Sequence, residues 1–192
     1  MKKERFALAV RKLTLAPVLA GVMLCVIRFY RAEVFLEDIQ FAYSILFLTV
    51  FPMLAYPLQK YIPHVREQGR DGQRRLAMVF EFLGCLCECL VNLLLPVSHE
   101  LKLIGWTYFL AGTILLIVNR VFHIKLSGHA AGAFAIGMFP VLFKIYWCAV
   151  PAAVILALVY FSSIWSQRHT LPQLLGGTCI PVVSVIIVCA FL

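Results

Sequence analysis

Seven long apolar runs constrain this chain more than any other feature: residues 13–27, 41–58, 76–97, 101–118, 130–143, 146–161 and 174–192. Each must face lipid or another run. With 62% of 192 residues hydrophobic and only 14% charged, there is too little polar surface to cover them in water. Crossing a hydrocarbon core of roughly 30 Å takes about 20 helical residues. The fifth run is short and Pro17 interrupts the first, so six to seven transmembrane helices are expected. The expected fold is all-α, a polytopic membrane helix bundle forming a single integral membrane domain over residues 1–192. No linker, low-complexity segment or internal repeat divides it. Lys2, Lys3, Arg5, Arg11 and Lys12 ahead of the first run resemble a secretory leader. No small-x-small cleavage site follows, and Arg28 and Arg31 do, so this run reads as a retained helix.

Alternation of the runs sorts the cations. Lys2, Lys3, Arg5, Arg11, Lys12, Lys60, Arg66, Arg70, Arg74, Arg75, Arg120, Lys125 and Arg168 fall on one side, and Arg28, Arg31, Lys102 and Lys144 on the other. Thirteen against four is a strong positive-inside bias. It predicts a cytoplasmic N-terminus, in a cell (inner) membrane. The net charge of +8 then describes a membrane-facing basic surface, not a nucleic-acid partner, since no soluble basic domain is left to carry one. All seven cysteines lie within apolar runs, where cysteine acts as a small hydrophobe. "CLCEC" is not expected to hold metal, because alternate residues on a helix point apart.

The same alternation gathers three polar clusters on the basic side: "HVREQGRDGQRR", "NRVFHIKLSGH" and "SSIWSQRHTLPQ". In "KLSGHAAG", Ser127, Gly128 and His129 precede a run rich in Ala and Gly. A helix starting there is either a capped interfacial helix or an anion site, with free N–H groups, a glycine that admits close approach, and Lys125 beside it. "RHTLPQLLGG" adds Arg168 and His169 ahead of the last run. Paired histidines suit phosphoryl transfer: one attacks phosphorus, the other protonates the leaving oxygen, and arginines neutralise the remaining oxygens. In "REQGRDGQRR" the two glycines predict a loop that turns into the third long helix near Arg74. Arg70, Arg74 and Arg75 can reach one anion if helical spacing holds from Arg70 onward.

"SGHAAG" followed forty residues later by "RHTLPQLLGG" resembles the type 2 phosphatidic acid phosphatase superfamily, the membrane lipid phosphatases related to vanadium haloperoxidases. The resemblance covers the second half of the chain. Ser127-Gly128-His129 stands for that family's Pro-Ser-Gly-His, and His169 for the histidine of its Ser-Arg-x5-His-x3-Asp. Leu126 replaces the proline, Ser162 keeps the serine, Ser163 replaces the arginine and Gln173 the aspartate. Lys-x6-Arg-Pro is absent, and the Arg70/Arg74/Arg75 group comes nearest to it. The chain is similar to a divergent branch with Ser-Gly-His-Ala-Ala-Gly and Arg-His-Thr-x-x-Gln. The resemblance implies a hydrolase without metal or other cofactor, acting on a lipid phosphomonoester or diphosphate, isoprenoid or phosphatidate-like. His169 would be the nucleophile and His129 the general acid. Lys125, Ser127, the Gly128 backbone, Arg168 and the arginine group would hold phosphate, with Gln173 supporting His169.

A glutamine accepts the imidazole N–H as aspartate does but lacks its charge; in a comparable triad that loss is worth about 10⁴ in rate. Glu81 and Glu88, seven apart in the third run, are candidates for a substitute acid, and Glu81 lies nearer the basic side. Two other readings remain at this stage: a catalytically degenerate protein of the same fold that binds or transports anionic lipid, and a transporter relaying protons through Glu81 and Glu88.

Overall fold

A computed structural model describes residues 2–192; the side chains of residues 2–7 and of Arg70 lie outside the described set. The described chain is helical throughout, with no strand. Its principal helices are α1 (Lys2–Leu13), α2 (Ala16–Tyr30), α3 (Asp38–Tyr61), α4 (Gly69–Leu94), α5 (His99–Arg120), α6 (Gly128–Leu142), α7 (Ala149–Trp165) and α8 (Leu171–Phe191). Five segments are long and apolar enough to cross a membrane: Asp38–Tyr61, Asp71–Leu94, His99–Arg120, Tyr146–Trp165 and Leu171–Phe191. These are the helices of an integral membrane protein. Ala16–Tyr30 and Gly128–Leu142 are apolar but only 15 residues each. At 1.5 Å per residue each is about 22 Å long, short of a full hydrocarbon core.

Two expectations about proline and glycine need correcting. Pro17 does not interrupt a helix. The first apolar run breaks at Thr14–Leu15, and Pro17 sits in the first turn of α2, where its missing N–H would be unpaired anyway. Nor do the glycines of "REQGRDGQRR" make a loop up to Arg74, for α4 is helical from Gly69. Gly69 supplies a left-handed turn at φ +57° as the chain leaves the short helix Pro63–Glu67. Gly72 then lets that helix lie on α4, since a Cβ there would be 2.2 Å from the Val65 carbonyl oxygen. Helical spacing therefore does hold from Arg70 onward.

α3 is irregular for a similar local reason. Its middle, Leu46–Val50, widens into a π-type turn just before Pro52, and Pro57 follows. Each proline withdraws a donor from the backbone ladder, and the wider turn takes up the mismatch. Helix α4 closes on this segment at Gly84, where a Cβ would stand 2.3 Å from the Phe47 carbonyl oxygen.

Helix α6 is the hub. It packs against α2, α7 and α8, and it is apolar on every face, as a helix enclosed by others must be. Small residues bring the backbones together: Gly132 lies on Ala16 of α2, and Gly137 on Ala152 of α7. Phe139 is fully buried with Met23, Leu24, Ile27, Leu101 and Ile104 where α2, α5 and α6 meet. At the far end, Arg28 pairs with Asp38, and Arg31 with Glu33 and the Phe143 carbonyl. The opposite end of α6, its N-terminus, lies beside the N-terminus of α8, and there the two histidine motifs come together.

Candidate active site

Ser127 begins α6 as its N-cap. Its hydroxyl accepts from the Ala130 N–H at 3.3 Å, and its carbonyl from the Ala131 N–H at 3.2 Å. Ser127 is 1% exposed. The capping alternative therefore holds for the side chain itself. The N–H groups of Gly128 and His129 find no acceptor among the described residues. Gly128 faces open space, since a Cβ there would touch nothing within 4 Å. A capped helix start can thus also present two backbone donors to an anion.

Helix α8 carries the second motif on a capping box: Thr170 is the N-cap, and the Gln173 side chain returns to the Thr170 backbone. The Thr170 N–H donates to Gln173 Oε1 at 3.1 Å, and the same oxygen lies 3.2 Å from Nδ1 of His169. A backbone N–H can only donate, so the atom facing it is the amide oxygen and the NH2 turns away. An oxygen acceptor facing Nδ1 requires Nδ1 to carry the proton, which leaves Nε2 with its lone pair in the neutral ring. Glutamine does here what aspartate does sterically, without the charge.

The motifs are joined through backbone. The Ser127 N–H donates to the Gln173 carbonyl at 3.2 Å. Gly177 allows this approach: a Cβ there would stand 2.4 Å from the Ser127 carbonyl oxygen. A Cβ on Gly176 would meet Leu126 Cδ2 at 2.7 Å. "LLGG" is therefore the seat of "LSGH".

Around the rings, the expected residues divide. Partial burial holds His169 below the ordinary histidine range; its bond to Gln173 acts upward, the Arg74 charge downward, the Lys125 backbone upward and the Lys125 charge downward. Arg74 and Lys125 are thus neighbours of His169, and Arg74 donates to Asn119 Oδ1 at 3.2 Å. Arg168 is exposed, and its charge acts on His129. Arg75 is exposed one position round the helix from Arg74, and nothing links it to either ring. The Arg70 side chain is outside the described residues. Nε2 of His129 is buried without a partner among the described residues. His64, His99 and His123 are exposed.

One neighbour was missed by motif reading. Arg11 acts on the His129 ring electrostatically, through both its backbone and its charge. The available signal was the basic N-terminal segment, but charge counting alone cannot place one of its five cations at a ring.

The side chain hydrogen-bonded to His169 among the described residues is Gln173. Glu81 lines a crevice of about 390 Å³, including its open mouth, that it shares with Gly128. Ala131, Gly132, Ala135 and Gly112 form its narrow apolar walls, and Thr107 and Phe139 its inner end. Glu88 is elsewhere, fully buried, accepting from Ser44 Oγ at 2.7 Å with Asn92 beside it.

No protein-family model matches the chain, and no curated protein or solved structure is significantly similar to it.

Proposed function

We propose that this chain is an integral membrane phosphatase of the type 2 phosphatidic acid phosphatase kind, hydrolysing a lipid phosphomonoester or diphosphate through a phosphohistidine. The observation that carries the reading is the Gln173 amide oxygen, pinned by the Thr170 N–H and facing His169 Nδ1. That arrangement gives a neutral imidazole whose Nε2 is the nucleophilic atom.

In this reading Nε2 of His169 attacks phosphorus and the ester or anhydride oxygen departs with a proton from His129. Water then cleaves the phosphorus–nitrogen bond, and His129 takes the proton back. The first-turn N–H groups of Gly128 and His129, with Lys125, Arg74 and Arg168, neutralise the phosphoryl oxygens. The crevice leading inward from Gly128 has mostly small apolar walls, with Glu81 and Thr107 as the polar groups on it. The residues require no metal in any of these steps. The Lys and Arg bias favours an N-terminus and site on the cytoplasmic side, in the cell (inner) membrane.

The test is phosphate release by purified, detergent-solubilised protein with EDTA, offered phosphatidate, phosphatidylglycerophosphate and farnesyl or longer prenyl diphosphates. Turnover that disappears in His169→Ala supports the reading and names the substrate. A folded protein that turns over none of them favours the lipid-binding or transport reading instead.

A further inference from the structure

The end of α1 has a buried and an exposed side. Arg11 is half-buried and Thr14 buried, whereas Leu8, Ala9, Lys12 and Leu13 are exposed, a division with helical period. Thr14 Oγ1 bonds the Val10 carbonyl at 2.8 Å, closing the last turn of α1 before the chain enters α2. Two steps further, Ala16 lies against Gly132, its Cα 3.0 Å from where a Cβ would be. Gly132 is one residue short of a full turn beyond His129, so seating Ala16 there hangs the end of α1 over the His129 ring. α1 also packs against α7, which carries the chain to Arg168 and His169. With α1 seated there, the Arg11 backbone and charge both act on the His129 ring.

We propose that Arg11 is a phosphate-binding residue and that α1 is a wall of the site. The cationic clamp is then Arg11 and Arg168 on the His129 side, with Arg74 and Lys125 on the His169 side. This rests on reading the histidine cluster as a phosphate site. It adds to Arg74 of the expected trio cations from α1 and from two connections. The chemistry favours arginine at this place: a planar, permanently charged fork meets two phosphoryl oxygens at once, and partial burial strengthens the contact. The class of ligand is a phosphate monoester or diphosphate head group.

The experiment uses the full chain in detergent and compares wild type, Arg11→Gln, Arg11→Lys and Lys12→Gln. Two quantities are read: the affinity for inorganic phosphate by calorimetric titration, and kcat/KM on lipid phosphates. Arg11→Gln is expected to weaken both by about tenfold, the loss of one charge-assisted contact, while Lys12→Gln matches wild type. Arg11→Lys keeps the charge and loses the fork, so it should fall between wild type and Arg11→Gln. Equal values in wild type, Arg11→Gln and Lys12→Gln overturn the proposal. Should Arg11→Gln fold poorly, Arg11→Lys decides: losing the fork lowers phosphate affinity if Arg11 binds phosphate and changes nothing if it only anchors α1. Wild type that binds phosphate but turns over no lipid sinks the phosphatase reading and leaves this one standing. Wild type that does neither sinks both.

Discussion

The carbonyl oxygen of Ser127 lies 2.4 Å from the place where a side chain on Gly177 would begin. The contact is backbone against backbone, so neither side can yield by turning a rotamer. Gly177→Ala should push the Ser-Gly-His segment off α8, at a cost of about 1–3 kcal/mol as for overpacked cores. It should also lengthen the Ser127-to-Gln173 hydrogen bond that sets the two histidines together. Gly176→Ala meets only the flexible end of Leu126 and should be milder. Thermal unfolding in detergent together with turnover separates the two; an unaffected Gly177→Ala protein would show the contact to be unimportant.

Gln173→Glu keeps an acceptor of the same length for both the Thr170 N–H and His169 Nδ1, and adds the missing charge at a helix N-terminus that welcomes it. The imidazolium formed on attack is then stabilised electrostatically. We expect kcat to rise about tenfold or more, some part of the roughly 10⁴ that separates charged from neutral partners in a comparable triad. Gln173→Leu should lower kcat and, by breaking the capping box, destabilise α8 by about 1 kcal/mol. A kcat indifferent to both changes would remove Gln173 from the mechanism.

The pH profile carries its own sign. His169 must be neutral to attack, and burial with the nearby Arg74 and Lys125 charges holds it below the ordinary value of 6.5. The acid limb of kcat/KM should therefore lie below that of a free imidazole, with activity lost only as pH falls through the lowered value. Arg74→Gln removes a charge that disfavours protonation, so the limb should move toward higher pH even as overall activity drops. A limb that moved to lower pH, or not at all, would place Arg74 away from the ring.

Glu88 tests the remaining reading. Ser44 donates to it at 2.7 Å, Asn92 lies beside it, and Tyr43 donates to Asn92 at 2.6 Å. These are structural bonds between α3 and α4. Ser44→Ala should destabilise the protein by about 1–3 kcal/mol by stripping a donor from a buried carboxyl. Glu88→Gln should leave lipid-phosphate turnover within about twofold, since no group of the histidine cluster touches it. Solute flux driven by a proton gradient and abolished by Glu88→Gln would favour a transporter instead.

Period, charge and hydropathy are local properties, and they determined what local properties can: an all-helical chain, the runs that become long apolar helices, and the three polar clusters together with His129 and His169. They also located Ser127 at a helix start, because Ser-Gly-His ahead of an Ala/Gly-rich run has little else to be. What the tertiary structure decided was adjacency. Gly72, Gly84 and Gly177 look alike in sequence, and only the neighbouring backbone shows that each is an empty place for another chain segment. Gln173 reads as a lost aspartate until the Thr170 N–H orients its amide. Arg11 reads as one of five interfacial cations until Ala16 is found seated on Gly132, about a turn along α6 from His129. A charge written along the chain has no direction, and packing gives it one.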